Sequence, residues 1–363
     1  MTDLVVSCEN KGELESILSL LDEVLTINKG FNVTIFNSMS LYSQEKFEDS
    51  FDNIVSCKRL FSGQFKTLNV LLRFIESLYI ALQLYFLMRS KRSTVLVVGV
   101  SLVYHRVLKF LLRDKLLLVS VVRSIIVQGA DDIGFKKHLR RLGLIGSVGD
   151  VGLTTGPVTS RYLGNNMVRS IYDVGPFDID KCYEASSKKD LNYTPQAVVF
   201  ITSAFSWHGD YKGQCQQVEF CRELAVAALA DGLRFFILVH PRDNKGQYES
   251  LGLDVEIVSG GLGKCIQVNE NFGGAVCFVS MVSTLSFELA YIELQSKLMV
   301  PKSFYENNST WYESVGVKPL VDIQSGWIGY GQIDCSRVFN LSNRGRVAQE
   351  AAALLVREFN KHE

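Results

Sequence analysis

Short apolar, β-branched runs alternate with stretches of three- and four-residue apolar spacing from one end of this chain to the other. A strand covered on both faces reads as a continuous apolar run, and a surface helix reads as a stripe. The alternation therefore predicts an α/β chain with parallel sheets between helices. In the first half the runs predict strands at Leu4–Ser7, Asn32–Phe36, Asn53–Ser56, Thr94–Gly99 and Ser124–Gln128. In the second half they predict strands at Ala197–Thr202, Arg234–Val239, Val255–Val258, Ala275–Val279 and Lys297–Val300. The first helix, Lys11–Thr26, gathers Leu14, Ile17, Leu18, Leu21 and Leu25 on one face. Further helices are expected at Gln214–Ala230, Asn244–Leu251, Thr284–Glu293 and Asn343–Asn360.

The chain has 363 residues, more than one hydrophobic core usually spans, so two domains are expected. The irregular stretch Ile171–Lys181 and the polar stretch Ser186–Pro195 mark the linker. The expected organisation is a Rossmann-like domain over 1–185, a second over 195–342, and a helix over 343–363 that crosses back to the first. Two doubly wound domains facing a central cleft place the carboxyl ends of their strands around one crevice, where ligands bind.

Lysine plus arginine and aspartate plus glutamate each total 38, so no global field attracts nucleic acid. The charge is unevenly spread. Residues 1–57 carry three basic and ten acidic side chains, whereas residues 58–141 carry sixteen basic and four acidic ones. This second stretch is also strongly apolar, and an anionic membrane surface suits that mixture. Its uncharged pieces, such as Ser77–Met88 of twelve residues, fall well short of the roughly 20 needed to span a bilayer. No signal peptide is visible, and the eight cysteines are scattered without a C-x-x-C pair. A reducing cytoplasm is expected, with contact at the inner leaflet of the membrane.

Three strand-end loops of the second half carry candidate chemistry. The first, Ser203–Asp210, holds Trp207, His208, Gly209 and Asp210. Either Asp210 or His208 is a candidate general base, and Trp207 offers a flat face for a sugar ring. In the second, His240-Pro241-Arg242-Asp243, proline biases His240 to an extended backbone that projects the imidazole from the sheet edge. A donor imidazole beside Arg242 suits a leaving phosphate, although Arg242 also has Asp243 for a partner. The third places Ser283 and Thr284 where a helix starts, a natural anion site, with Glu288 one turn further in to meet ribose hydroxyls. In the first domain, Asp131 and Asp132 are candidates for holding an acceptor hydroxyl. Asp178-Ile-Asp180 has a metal-diphosphate spacing but lies in the linker, and Gly260–Gly263 reads as a turn. Walker loops, nucleophile elbows, zinc-protease motifs and an N-terminal dinucleotide fingerprint are absent from the sequence.

Over roughly residues 195–300 the chain resembles the nucleotide-binding domain of GT-B type bacterial sialyltransferases and polysialyltransferases, and more loosely transferases using CMP-linked Kdo. The resemblance is carried by His240-Pro241 and Ser283-Thr284, in the family's order and at a similar separation. It implies a GT-B glycosyltransferase moving sialic or another ulosonic acid from a CMP-linked donor onto a bacterial surface glycan or lipid-linked acceptor. It further implies inversion, no metal and no cofactor, with His240 meeting the leaving phosphate and Ser283-Thr284 holding it. The family's acidic motif precedes its glycine, whereas here Asp210 follows Gly209, so the base stays open between Asp210 and His208. A transferase using a UDP- or GDP-sugar, a nucleotide-sugar 2-epimerase of the same fold, and a non-catalytic glycan-assembly protein are the alternatives.

Overall fold

The computed structural model describes residues 2–8, 11–37, 54–56, 60, 70–91, 94–99, 103–122, 148–164, 167–177, 179–186, 194–252, 255–324, 326–329 and 333–362. The chain divides into two compact units. Unit 1 comprises Met1–Asp180 and Phe339–Glu363, and unit 2 comprises Lys181–Val338.

Unit 1 is built on a seven-stranded parallel sheet. Its strands are β1 (Thr2–Cys8), β2 (Phe31–Asn37), β3 (Ile54–Ser56), β4 (Thr94–Val98), β5 (Leu116–Val122), β6 (Val148–Thr154) and β7 (Met167–Asp173), in the order β3-β2-β1-β4-β5-β6-β7. Successive residues of a strand point to opposite faces, and β1 shows the result. Leu4 and Val6 join one buried cluster with Ile17, Leu20 and Val24 of helix α1 (Lys11–Ile27), whereas Val5 joins another with Ile80 and Leu84 of α2 (Val70–Met88) and Leu108 of α3 (Val103–Leu112). The first cluster also takes Val347, Ala351, Leu355 and Phe359 from the last helix, which therefore belongs to the core of unit 1. The rings of Phe31 and Phe359 meet edge to face at 5.5 Å.

Three features of unit 1 depart from the sequence expectation. Leu116–Val122 is a fully buried strand that the reading passed over, and the expected strand at Ser124–Gln128 lies outside the described residues. Helix α4 (Pro157–Gly164) follows β6, and β7 occupies the first part of the expected linker at Ile171–Lys181. The break between units falls at Asp180–Lys181, on the short helix α5 (Asp180–Ser186). Asp180 is nearly buried, and its carboxylate accepts the backbone N–H groups of Gly345 at 2.7 Å and Val347 at 2.8 Å. It caps the final helix and is no metal-diphosphate ligand. Asp178 lies outside the described residues.

Unit 2 holds β8 (Ala197–Ile201), β9 (Arg234–Val239), β10 (Glu256–Ser259), β11 (Val276–Ser280), β12 (Ser296–Val300) and β13 (Leu320–Val321), all parallel, in the order β10-β9-β8-β11-β12-β13. The helices between them are α6 (Tyr211–Ala230), α7 (Gly246–Glu249), α8 (Leu262–Asn271), α9 (Thr284–Tyr291) and α10 (Lys302–Val315), and α11 (Val347–His362) closes the chain in unit 1. Cys221 and Cys277 are fully buried among apolar side chains, and burial pushes the Cys277 thiol up to about 11. They pack as small hydrophobes rather than acting as nucleophiles. Among the described residues no helix is long and apolar enough to cross a membrane.

Candidate functional site

The chain leaves β8 toward β9 on one side and later returns to lay β11 on the other, so β8 and β11 flank the point where the strand order reverses. In open α/β sheets the ligand crevice forms at the carboxyl ends of such strands. Hydrogen bonds tie the three loops there into one rim. The His240 N–H donates to Thr202 Oγ1 at 3.0 Å, joining the ends of β9 and β8. The Ser203 hydroxyl donates to the Val282 carbonyl, joining the loops after β8 and β11. With one strand between them, the ends of β9 and β11 stand two strand spacings apart, roughly 10 Å. His240 and Ser283-Thr284 are thus on the same edge of one sheet.

The chemistry of His240 follows from its loop. Its Nδ1 accepts the N–H of Arg242 at 3.1 Å, so the proton of the neutral ring sits on Nε2. Burial holds the imidazole below its ordinary pKa, and the Arg242 and His208 charges push the same way against Asp243. The ring is therefore a neutral Nε2–H donor at neutral pH. Of the two forms the sequence allows, a donor or a cation, the structure favours the donor.

A buried polar network holds this loop. Gln214 and Gln217, three residues apart on α6, are almost wholly buried. The Gln217 amide accepts from Ser203 N at 2.7 Å and donates to Ser203 O at 3.0 Å, fixing the loop after β8. Gln214 Nε2 donates to Asp243 at 2.9 Å, the Tyr248 phenol donates to Asp243 at 2.7 Å, and Gln217 Nε2 donates to that phenol at 2.7 Å. Burial, with Asp243 beside it, raises the Tyr248 phenol above its ordinary value, so it stays a donor. Gln214, Gln217 and Tyr248 are not among the residues expected from the sequence. Their signal was a pair of amides at helical spacing on the buried face of a helix, where unpaired polar groups are costly.

Arg242 does not take Asp243 as its partner, because the phenol and the glutamines already hold that carboxylate. Its guanidinium lies over the Trp207 ring, 5.5 Å from the centroid, and both side chains are exposed. Ser206–His208 form a single 3-10 turn that ends at Gly209, whose φ of +83° suits glycine. Asp210 then caps α6, its Oδ1 accepting the Gly213 N–H at 2.8 Å. A Cβ at Gly213 would lie 2.3 Å from Asp210 Oδ2, so glycine there leaves room for the carboxylate in this capping geometry. Of the two candidate bases, Asp210 is committed to a helix end. His208 is exposed, and its charge reaches His240.

Ser283 has an extended backbone, with φ −151° and ψ 132°, and its side chain makes no capping hydrogen bond to α9. The hydroxyl is thus left for other partners, at a helix end whose dipole favours anions. Thr284 is exposed at the first helical position. Glu288 lies one turn into α9, and its charge adds to burial in pushing the Cys265 thiol of α8 up to about 12. Gly260 and Gly261 make the turn into α8. Asp131 and Asp132 lie outside the described residues. The sequence reading also passed over Lys297 in β12, which is fully buried and donates to the carbonyls of Trp327, at 3.0 Å, and Ile328.

No family model matches the chain, and no curated protein matches it. Solved structures do. A candidate UDP-N-acetylglucosamine 2-epimerase of Listeria monocytogenes aligns with TM-score 0.60 at 12% identity, over 99% of this chain and 96% of that one. The UDP-GlcNAc 2-epimerase of Neisseria meningitidis, solved with UDP-GlcNAc bound, aligns with TM-score 0.55 at 10% identity, over 99% and 100%. CalG4, the calicheamicin glycosyltransferase, aligns with TM-score 0.51 at 12% identity, over 99% and 98%. The chain shares the two-domain, parallel-sheet α/β fold of these proteins, the GT-B-like class.

Proposed function

We propose that this chain is an enzyme acting on a nucleotide-linked sugar, breaking the bond between the anomeric carbon and the phosphate oxygen at the carboxyl edge of unit 2. One observation carries the reading: a neutral Nε2–H imidazole stands on the same rim as a helix N-terminus whose serine is not used for capping. As the bond breaks, negative charge grows on the phosphate oxygen. A hydrogen bond from His240 and the dipole of α9 both strengthen with that charge, which lowers the barrier. Ser283 and Thr284 hydroxyls hold the phosphate, and Arg242 supplies a fixed positive charge nearby. No metal is required in this reading, and activity is expected to survive a chelator.

The first form of the reaction is 2-epimerisation of a UDP-sugar, supported by the likeness to epimerases over nearly the whole chain. A rim base, His208 or Asp210, takes the C2 proton as the C1–O bond breaks, a C1–C2 double bond forms, and the nucleotide departs with the bonding pair of the C1–O bond. Re-addition with a proton from the other face gives the epimer. The second form is transfer, supported by exposed Trp207 on the same rim, a stacking surface for an acceptor ring. A new bond from the acceptor oxygen to C1 forms as the C1–phosphate bond breaks, and the acceptor proton passes to His208. A CMP-linked ulosonic acid would be a donor of this second form, with a glycan or lipid-linked acceptor.

A thermal-shift series with UDP, GDP, CDP and CMP identifies the base, since a ligand bound only by the folded state raises its melting point. Incubation of the matching nucleotide-sugar alone in deuterated water then separates the reactions. Deuterium at C2 without acceptor establishes the epimerase. Nucleotide release that waits for an acceptor establishes the transferase. Absence of a shift with all four nucleotides removes the proposal.

A further inference from the structure

Helix α2 is apolar on both faces, which a helix at the surface of a globular unit does not need. Its inner face packs Ile80, Ala81, Leu84 and Met88 onto the sheet of unit 1. Every exposed position between Phe74 and Phe86 is also apolar. Phe74, Leu78, Leu82 and Phe86 recur at four-residue spacing as a ridge, with Phe74 50% and Phe86 56% exposed. Helix α3 packs beside α2 and adds Phe110, 72% exposed, and Leu111. Together these six side chains leave on the order of 500 Å² of apolar surface in water, at the upper end for a face without a partner.

Cations surround this face. The Arg89 guanidinium sits over the Phe86 ring at 4.6 Å. Arg113 and Lys115 follow α3 in its terminal 3-10 turn, both exposed, with Asp114 between them. None of the three joins an ion pair with a described residue. Lys91 and Lys109, by contrast, are held by Asp3 at 2.6 Å and Asp150 at 2.7 Å.

From this juxtaposition we infer that the α2–α3 face of unit 1 docks onto an anionic phospholipid bilayer. The phenylalanine and leucine side chains enter the acyl boundary, and Arg89, Arg113 and Lys115 meet the headgroups. A second copy of the chain fits less well, because pairing like faces would oppose the same cations. A protein partner is disfavoured because the ridge offers no hydrogen-bonding side chain, whereas a specific interface carries about one hydrogen bond per 100–200 Å². This inference concerns unit 1 and stands apart from the chemistry proposed for unit 2.

Vesicle flotation of the full chain tests it, using phosphatidylcholine alone and phosphatidylcholine mixed with phosphatidylglycerol. The protein is expected to float with the anionic vesicles and to lose part of that binding at high salt. The variant Phe86→Ser/Phe110→Ser should lower the partition coefficient at least tenfold, while an unchanged circular dichroism spectrum shows that it folds. Arg89→Glu/Lys115→Glu should abolish the preference for anionic lipid. Equal recovery from both vesicle types, or full recovery of the serine variant, overturns the inference. So does a dimer in light scattering that the serine variant dissolves while vesicles recover nothing.

Discussion

Units 1 and 2 share a parallel sheet and a reversal of strand order between a first strand and a fourth, yet they treat a histidine near that reversal in opposite ways. In unit 2, His240 follows β9 and stays half-exposed. Its loop is held from behind by Gln214, Gln217, Tyr248 and Asp243, so the ring faces outward while the amides lie inside. In unit 1, His105 sits in the first turn of α3, just past β4, and is 1% exposed. Burial and the neighbouring Arg106 bring its pKa down to about 3. At the ends of β6 and β7, Thr154 Oγ1 donates to Asp173 at 2.6 Å and the Ser160 hydroxyl donates to the same oxygen. One topology thus carries a half-exposed histidine in one unit and a buried one in the other. The difference lies in where buried polar groups stand relative to the strand ends.

Acid should break this comparison most sharply. Folded unit 1 keeps His105 neutral, whereas the unfolded chain takes up a proton below about pH 6.5, so stability falls with pH down to about pH 3. The slope is up to ~1.4 kcal/mol per pH unit, several kcal/mol over the window. Trp207, Trp311 and Trp327 all lie in unit 2, so fluorescence follows that unit while circular dichroism follows both. The dichroism transition should move to higher pH than the fluorescence transition, and coincident curves would refute the assignment to unit 1.

His240→Ala comes next, with turnover falling about 10²- to 10³-fold, as for loss of a donor to a developing anion. Stability should change by only about 0.5 kcal/mol, as for other partly exposed positions. Because the ring acts as a neutral donor, the wild-type rate should hold level as pH rises from 6.5 to 8. A decline over that range would show that the imidazolium is required.

Tyr248→Phe ranks third. It strips a buried donor from Asp243 and an acceptor from Gln217, costing about 1–3 kcal/mol in unit 2, read by denaturant titration with fluorescence. The smallest effect belongs to Asp210→Asn, since asparagine caps a helix about as well as aspartate; stability should move by a few tenths of a kcal/mol. Turnover that collapses in this folded variant would make Asp210 the base after all.

Unit 2 was the more legible half. Ala197–Ile201, Arg234–Val239 and Ser296–Val300 are central runs of β-branched and aromatic residues bounded by turn signals, and each strand was placed to within a residue. Leu116–Val122 escaped because only Arg113-Asp114-Lys115 separate it from the apolar end of α3, a break too short to mark a boundary. Val148–Thr154 escaped because two glycines thin its pattern. Gly152 leaves room for neighbouring side chains, since a Cβ would lie 2.8 Å from Leu163 Cδ1. Helix α10 went unread because Glu306, Asn307, Asn308 and Ser309 blur its stripe, although Phe304, Tyr312 and Val315 are buried beneath it. At the rim, His240 and Ser283 were found from their place after strands. The clamp of Gln214 and Gln217 was not, because a pair of amides at helical spacing does not by itself say that its partners lie in the loops on both sides of α6.

The return of α11 to the first unit sets a timetable. Translation releases the seven strands of that sheet early, but Val347, Ala351, Leu355 and Phe359, which help cover one side of it, come much later in the chain. All of Lys181–Val338 must emerge in between. A nascent chain of this protein therefore carries a half-covered sheet while its later-made unit matures, reversing the usual order in which the first domain made is the first one finished.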